Sequence, residues 1–134
     1  PLKKTVGLYT CGPTVYNYAH IGNLSSYLSV DLLKRYLHYK GYKIMDVMNI
    51  TDVDDKTIKY SKEKDEPLKE YTNFYTEALY DDFSKLSILK PKIVCKATDH
   101  IDDMIVLIKK LLDMRYAYKA EDGSVYFKIS QFEN

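Results

Sequence analysis

The 134-residue chain has no apolar run approaching the roughly 18 residues of a membrane-spanning helix, and its first residues, Pro1-Leu2-Lys3-Lys4, show no export-signal pattern. It is read as neither membrane-bound nor exported. It also lacks a strong excess of one charge. Twenty Lys and Arg against 19 Asp and Glu leave +1, too little for a domain that lives on phosphate backbones by charge alone. Cysteine is scarce: Cys11 and Cys95 lie far apart and match neither a short-spaced zinc knuckle nor a disulfide framework, so free thiols in a reducing cytoplasm are expected. Internal repeats and low-complexity tracts are absent. The chain begins at Pro1 rather than Met, from which a longer parent polypeptide is expected. What is present, 46% hydrophobic and 29% charged residues, is the composition of an ordinary α/β chain able to bury one core.

Val6 to Cys11 mixes β-branched and aromatic residues and stops at Gly12-Pro13, as a short buried strand does. From Asn23 to Lys40, Leu24, Tyr27, Leu28, Leu32, Leu33, Tyr36 and Leu37 form an apolar helical stripe. Asp31, Lys34, Arg35 and His38 are expected on the opposite face, with Gly41 closing the helix. Tyr42 to Met48 reads as a second strand. Strand, helix and strand at this spacing form a parallel, right-handed crossover, whose ligands sit at the carboxyl ends of the strands. Cys11 and Asn49-Ile50-Thr51 then open onto one crevice.

Thr51-x-x-Asp54 predicts a helix start running to about Lys64. Pro67 begins another helix, with the spine Leu68, Tyr71, Tyr75, Leu79, Phe83 and Leu86, and Ile93 to Ala97 reads as a third strand. A further helix carries Ile101, Met104, Ile105, Ile108, Leu111 and Leu112 on one side, capped by Thr98 or Asp99. Tyr116-Ala117-Tyr118 and Val125 to Ile129 predict a hairpin around Asp122-Gly123.

Chemistry concentrates at few positions. His20-Ile21-Gly22-Asn23 falls between the first strand and the first helix, where backbone N–H groups and the helix dipole favour an anion. His20 and Asn23 add donors, and Gly22 admits a ligand close to the backbone. A plain helix start explains the same residues. Cys11 is open to three readings: small core residue, nucleophile, or metal ligand, the last needing about three further donors. Asp52, Asp54 and Asp55 lack the glycine and terminal glutamate of a calcium loop and read as helix capping. Cys95 reads as strand packing, His38 as solvated, and His100 as either ligand contact or hydrogen-bonded support. The tyrosines of the Leu68 to Leu86 spine read as core rather than as base-stacking rings.

Taken together, three ordered segments form a specific pattern: Tyr9-Thr10-Cys11-Gly12-Pro13-Thr14-Val15-Tyr16, His20-Ile21-Gly22-Asn23, and Asn49-Ile50-Thr51-Asp52-Val53-Asp54-Asp55-Lys56. They resemble the cysteinyl-tRNA synthetases, class I aminoacyl-tRNA synthetases. The likeness continues through Ala97-Thr98-Asp99-His100-Ile101 and Tyr116-Ala117-Tyr118 to Gly123-Ser124-Val125-Tyr126-Phe127. It implies a Rossmann-like parallel sheet with flanking helices, the first half of the class I catalytic fold. Residues 1–118 would belong to that half, and 119–134 would open the connective insertion that splits it.

The resemblance also implies an activity and its partners. ATP, with magnesium, would activate L-cysteine to cysteinyl-adenylate, and the cysteinyl group would pass to the 3′ end of tRNA(Cys) in the cytoplasm. Cys11 would be the first zinc ligand. Cys11, Gly12 and Thr51 would bind the cysteine substrate; Thr14, His20, Gly22 and Asn23 would face ATP, with His20 and Asn23 catalytic. The fragment alone is expected to be inactive. Two departures stand out, Asn23 where the family's signature carries a second His and Ser25 where an Arg commonly follows. Competing readings are a cysteine ligase of thiol-cofactor biosynthesis, which hands the same adenylate to an amino sugar, and a noncatalytic module binding cysteine or nucleotide.

Overall fold

The computed structural model describes residues 5–132. Contacts divide the chain into two units, one ending at Asp99 and one starting at His100. The first holds β1 (Thr5–Thr10), α1 (Ile21–Tyr39), β2 (Lys43–Ile50), α2 (Asp55–Glu63), α3 (Leu68–Lys85) and β3 (Ile93–Lys96). Its three strands are parallel in the order β1-β2-β3, with Tyr9 opposite Val47 and Asn49 opposite Cys95. This is the α/β architecture expected of the sequence, each strand reaching its parallel neighbour through helix.

Alternation on the central strand decides which face is covered. Ile44, Asp46, Met48 and Ile50 are buried, while Met45 between them is exposed. Over the buried face lie Tyr27 of α1 and Tyr71, Tyr75, Leu79 and Phe83 of α3, joined by Val15 and Ile88. The predicted α3 spine therefore holds from Tyr71 to Phe83. Its ends differ: α3 stops at Lys85, and Leu86 is exposed.

The first helix corrects the periodicity reading. Its buried residues are Tyr27, Asp31 and Lys34, whereas Leu28, Leu32, Leu33 and Tyr36 are exposed, Leu32 by 70%. Two charges displace leucines from the inner face because each has a partner there. Lys34 Nζ lies 2.6 Å from Asp46 Oδ2 on β2 and donates to the Leu89 carbonyl at 2.9 Å. Asp31 accepts from Leu89 N–H at 2.8 Å and pairs with Arg35 at 2.6 Å, and Arg35 also donates to the Ser87 carbonyl. Lys92 completes the arrangement, its N–H donating to Asp46 at 3.2 Å and its ammonium to the Ile44 carbonyl at 2.6 Å. Buried charges are tolerated when paired and hydrogen-bonded in this way. The network fastens the turn before β3 to α1 and β2.

Helix starts differ as well. The first helix begins at Ile21, two residues before the expected Asn23, with His20 as its cap. Asp54, not Thr51, caps α2: its carboxylate accepts from Thr57 N–H, and the Thr57 hydroxyl accepts from Asp54 N–H, both at 2.8 Å. Gly41 follows α1 at φ +81°, the left-handed conformation that ends a helix there at no steric cost to glycine.

In the second unit α4 (Ile101–Asp113) precedes the antiparallel pair β4 (Ala117–Lys119) and β5 (Val125–Phe127). Gly123, at φ +89°, turns the expected hairpin. Neither Thr98 nor Asp99 caps α4. His100 occupies the cap position without a side-chain cap bond, its ring lying 3.0 Å from Asp103. Thr98 is engaged elsewhere. Ile101, Met104, Ile105 and Ile108 of the predicted apolar face are exposed.

Candidate active site

The carboxyl ends of β1 and β2 are tied together by one side chain. Asn49 Oδ1 accepts from Gly12 N–H at 2.8 Å and from the Tyr9 hydroxyl at 2.9 Å, while its amide nitrogen donates to Thr51 Oγ1 at 3.2 Å. Beyond the strands, Thr14 and Thr51 continue the parallel pairing, with Thr51 N–H donating to the Pro13 carbonyl and Val15 N–H to the Thr51 carbonyl. Cys11, Gly12 and Thr51 thus stand at adjacent strand ends, as the crossover predicts. Cys11 is a free, exposed thiol. Beneath the sheet Tyr27 is pushed up to about 12, mainly by burial and further by the nearby Cys11, so this phenol stays neutral at physiological pH.

At the start of α1 the hydrogen bonds fix which atoms are left for a ligand. Gly22 N–H donates to His20 Nδ1 at 3.1 Å, so a neutral His20 carries its proton on Nε2. His20 N–H donates to Asn23 Oδ1 at 3.2 Å, which leaves the Asn23 amide NH2 as the free donor end. This reciprocal capping box uses one acceptor of each side chain and leaves the donors uncommitted by it. Asn23 therefore has a cap role that Asn performs directly with its carbonyl oxygen. Ser26, one turn on, returns its hydroxyl to the Gly22 carbonyl at 3.1 Å.

Thr14, His20 and Asn23 line one cavity of about 360 Å³, with Tyr16, Tyr18 and Tyr75. That volume lies in the range of small-molecule sites. Cys11, Gly12 and Thr51 sit at the strand ends and are not part of its lining. The acidic run resolves into separate tasks: Asp54 caps α2, while buried Asp52 accepts from Thr98 N–H at 3.0 Å and from the Thr98 hydroxyl at 2.6 Å. Asp52 therefore ties the end of β2 to the turn after β3. That task differs from the helix capping expected of it. No three His, Cys, Asp or Glu residues cluster as a metal site among the described residues.

Sequence reasoning placed Asn49 at the crevice and Tyr9 in the motif without giving either a task, and it passed over the Asp52–Thr98 pair. An asparagine at the carboxyl end of β2 was the available signal, since a partly buried amide must find partners for both its ends.

A three-stranded parallel sheet with flanking helices, and a histidine-capped helix start beside its strand ends, is a Rossmann-like α/β arrangement. The chain belongs to the family of class I (C) tRNA synthetase catalytic domains, which its residues 2–134 match. It is 54% identical over 127 residues to the cysteine–tRNA ligase of Brachyspira hyodysenteriae, covering 95% of this chain and 27% of that protein. Against the cysteine–tRNA ligase of Chlamydia pneumoniae it is 50% identical over 134 residues, covering 100% and 28%. Against that of Koribacter versatilis it is 48% identical over 127 residues, covering 95% and 26%. The chain spans about a quarter of the length of these relatives.

Proposed function

We propose that the protein containing this chain is a cysteine–tRNA ligase, which joins cysteine to ATP as an adenylate and passes the cysteinyl group to the 3′ end of tRNA(Cys). One observation carries this reading: a free, exposed thiol at the end of β1 stands one strand away from Thr51 and precedes a helix start whose capping residues His20 and Asn23 line a cavity. The names of the relatives support it, and they favour a tRNA acceptor over an amino sugar.

The chemistry follows from these groups. Adenylation is an in-line attack of the substrate carboxylate on the α-phosphate, so the protein has to align reactants and offset growing negative charge. His20 Nε2–H, the Asn23 amide and the α1 N-terminus supply fixed donors for that charge, with Thr14 and Gly22 beside the same nucleotide. Cys11 fits a single metal-ligand position, because its thiol is exposed and has only a 3.8 Å approach to the Gly12 carbonyl. The remaining ligands would come from the rest of the protein. Zinc bound there would supply a thiophilic position that favours sulfur over a hydroxyl. Gly12 and Thr51 would shape the pocket around the substrate side chain. Two free thiols fit a reducing cytoplasm. No helix among the described residues is long and apolar enough to cross a membrane.

The test is cysteine-dependent exchange of pyrophosphate into ATP by the full-length protein. Exchange is expected with cysteine and not with serine, and Cys11→Ser is expected to remove both bound zinc and exchange. A metal-free protein that charges its tRNA at full rate would overturn the reading.

A further inference from the structure

Asn49 makes three hydrogen bonds whose directions are not interchangeable. Its Oδ1 accepts from the Gly12 backbone N–H at 2.8 Å, and that group can only donate. The amide therefore cannot be turned over: Oδ1 faces Gly12, where the Tyr9 hydroxyl also reaches it at 2.9 Å, and Nδ2 faces Thr51. Thr51 Oγ1 accepts from Nδ2 at 3.2 Å. An amide NH2 has no lone pair to offer, so the Thr51 hydroxyl proton points elsewhere. Among the described residues it has no acceptor.

Alternation places these groups together. Met48 and Ile50, and Asp52 beyond the strand, are buried, so Asn49 and Thr51 project from the face of β2 opposite the one packed against α1 and α3. Both are half-buried there, beside an exposed Tyr9 and, two residues further along the chain, an exposed Cys11. A hydroxyl in a half-open position ordinarily rotates between donating and accepting. That of Thr51 has one side of its oxygen taken by a donor that two further hydrogen bonds hold still, so it is oriented before a ligand arrives.

The geometry points to Asn49 as a positioning residue that presents the Thr51 hydroxyl proton to an anionic acceptor of bound cysteine, its thiolate sulfur or its carboxylate. This rests on the ligase reading, in which Thr51 stands in the cysteine pocket, and it adds a residue that acts on the substrate through another. One side chain performs two tasks. Its oxygen holds the chain leaving β1 against the end of β2, and its nitrogen sets the polarity of Thr51. An aspartate can perform the first task and not the second, because it only accepts.

The experiment measures cysteine-dependent pyrophosphate exchange by the full-length protein and its variants Asn49→Asp, Thr51→Val and the two combined. Asn49→Asp keeps the accepting contacts to Gly12 N–H and the Tyr9 hydroxyl, and its second oxygen turns the Thr51 hydroxyl inward to donate. The KM for cysteine is expected to rise about tenfold or more, the usual loss for a hydrogen bond to a charged group, while the KM for ATP and the unfolding midpoint stay near those of the parent. Thr51→Val raises the cysteine KM to the same degree. The double variant stays within about twofold of Thr51→Val, because the same proton is lost in all three. Losses that multiply in the double variant overturn the proposal, since Asn49 then meets the substrate directly or acts by the added charge. An unchanged cysteine KM in either single variant overturns it, as does a parallel rise of both KM values. An Asn49→Asp protein that fails to fold also overturns it, because the tether then needs the amide donor. Cysteamine, which has the thiol and lacks the carboxylate, separates the two acceptors: its inhibition constant rises with the cysteine KM in Asn49→Asp if the sulfur is the acceptor and stays unchanged if the carboxylate is. Absence of cysteine-dependent exchange in the unsubstituted protein defeats the ligase reading instead.

Discussion

Gly12 and Asn49 approach so closely that no side chain fits between them. A Cβ on Gly12 would overlap the Asn49 carbonyl oxygen and stand 2.8 Å from its carbonyl carbon, while the Gly12 N–H donates to the Asn49 side chain at 2.8 Å. The chain leaving β1 thus crosses directly over the end of β2. Gly12 is required by this backbone contact, whatever substrate the neighbouring thiol meets.

Gly12→Ala is therefore expected to destabilise the full-length protein by about 2 to 3 kcal/mol, the upper range for overpacking, because the obstructing atoms are backbone and cannot rotate away. Chemical denaturation checks this. A variant as stable as the parent would show that the β1 and β2 ends can part.

His20 has two separable tasks, and a substitution can divide them. Asparagine at position 20 can still accept from Gly22 N–H, so His20→Asn should change stability by less than about 1 kcal/mol. It lacks the outward Nε2–H, and the pyrophosphate exchange rate should fall about 10²- to 10³-fold, the usual loss for one preorganised donor. His20→Ala removes the cap as well and should lose both. Equal exchange rates for His20→Asn and the parent would remove His20 from the chemistry.

The Lys34–Asp46 pair makes the fold sensitive to acid. Burial pushes the Asp46 carboxyl up, but the Lys34 ammonium and the Lys92 N–H outweigh it and hold the group below the usual carboxylate range. A depressed carboxylate contributes stability that is complete above its unfolded value of about 3.9 and is lost as pH falls from there through the folded value. Asp46→Asn should cost about 3 to 5 kcal/mol at neutral pH, because it leaves Lys34 buried without its counter-charge. The double change Lys34→Met with Asp46→Leu should recover most of it. Unfolding curves from pH 6 to pH 3 should be flatter in the double variant than in the parent.

Much of the architecture was legible from the sequence for physical reasons. Three short β-rich runs separated by helical periods leave little choice but a parallel sheet, and Tyr71, Tyr75, Leu79 and Phe83 at four-residue spacing can bury one face only as a helix. Gly41 and Asp122-Gly123 marked turns because their conformations suit glycine. Of the residues singled out by motif, Thr14, His20 and Asn23 line one cavity and Gly22 does not, while Cys11 and Thr51 stand at neighbouring strand ends.

The inner face of α1 was not legible. Periodicity places leucines inward because it weighs each residue by its own hydropathy, and it has no knowledge of a carboxylate waiting on another strand. Asp46 and the Leu89 backbone make Lys34 and Asp31 inward residues, from 12 and 58 positions away in the chain. Asp52 escaped the same way, since its partner Thr98 lies 46 residues later.

Local information in the sequence, then, determined the element order, the turn positions and the residues that can carry chemistry, because these depend on neighbours within a few positions. Tertiary structure alone decided which charges are buried, which donors His20 and Asn23 leave free, and which way the Asn49 amide faces. Each of these depends on a partner brought near by folding, and the free energy of a buried polar group is set by that partner rather than by the residue itself.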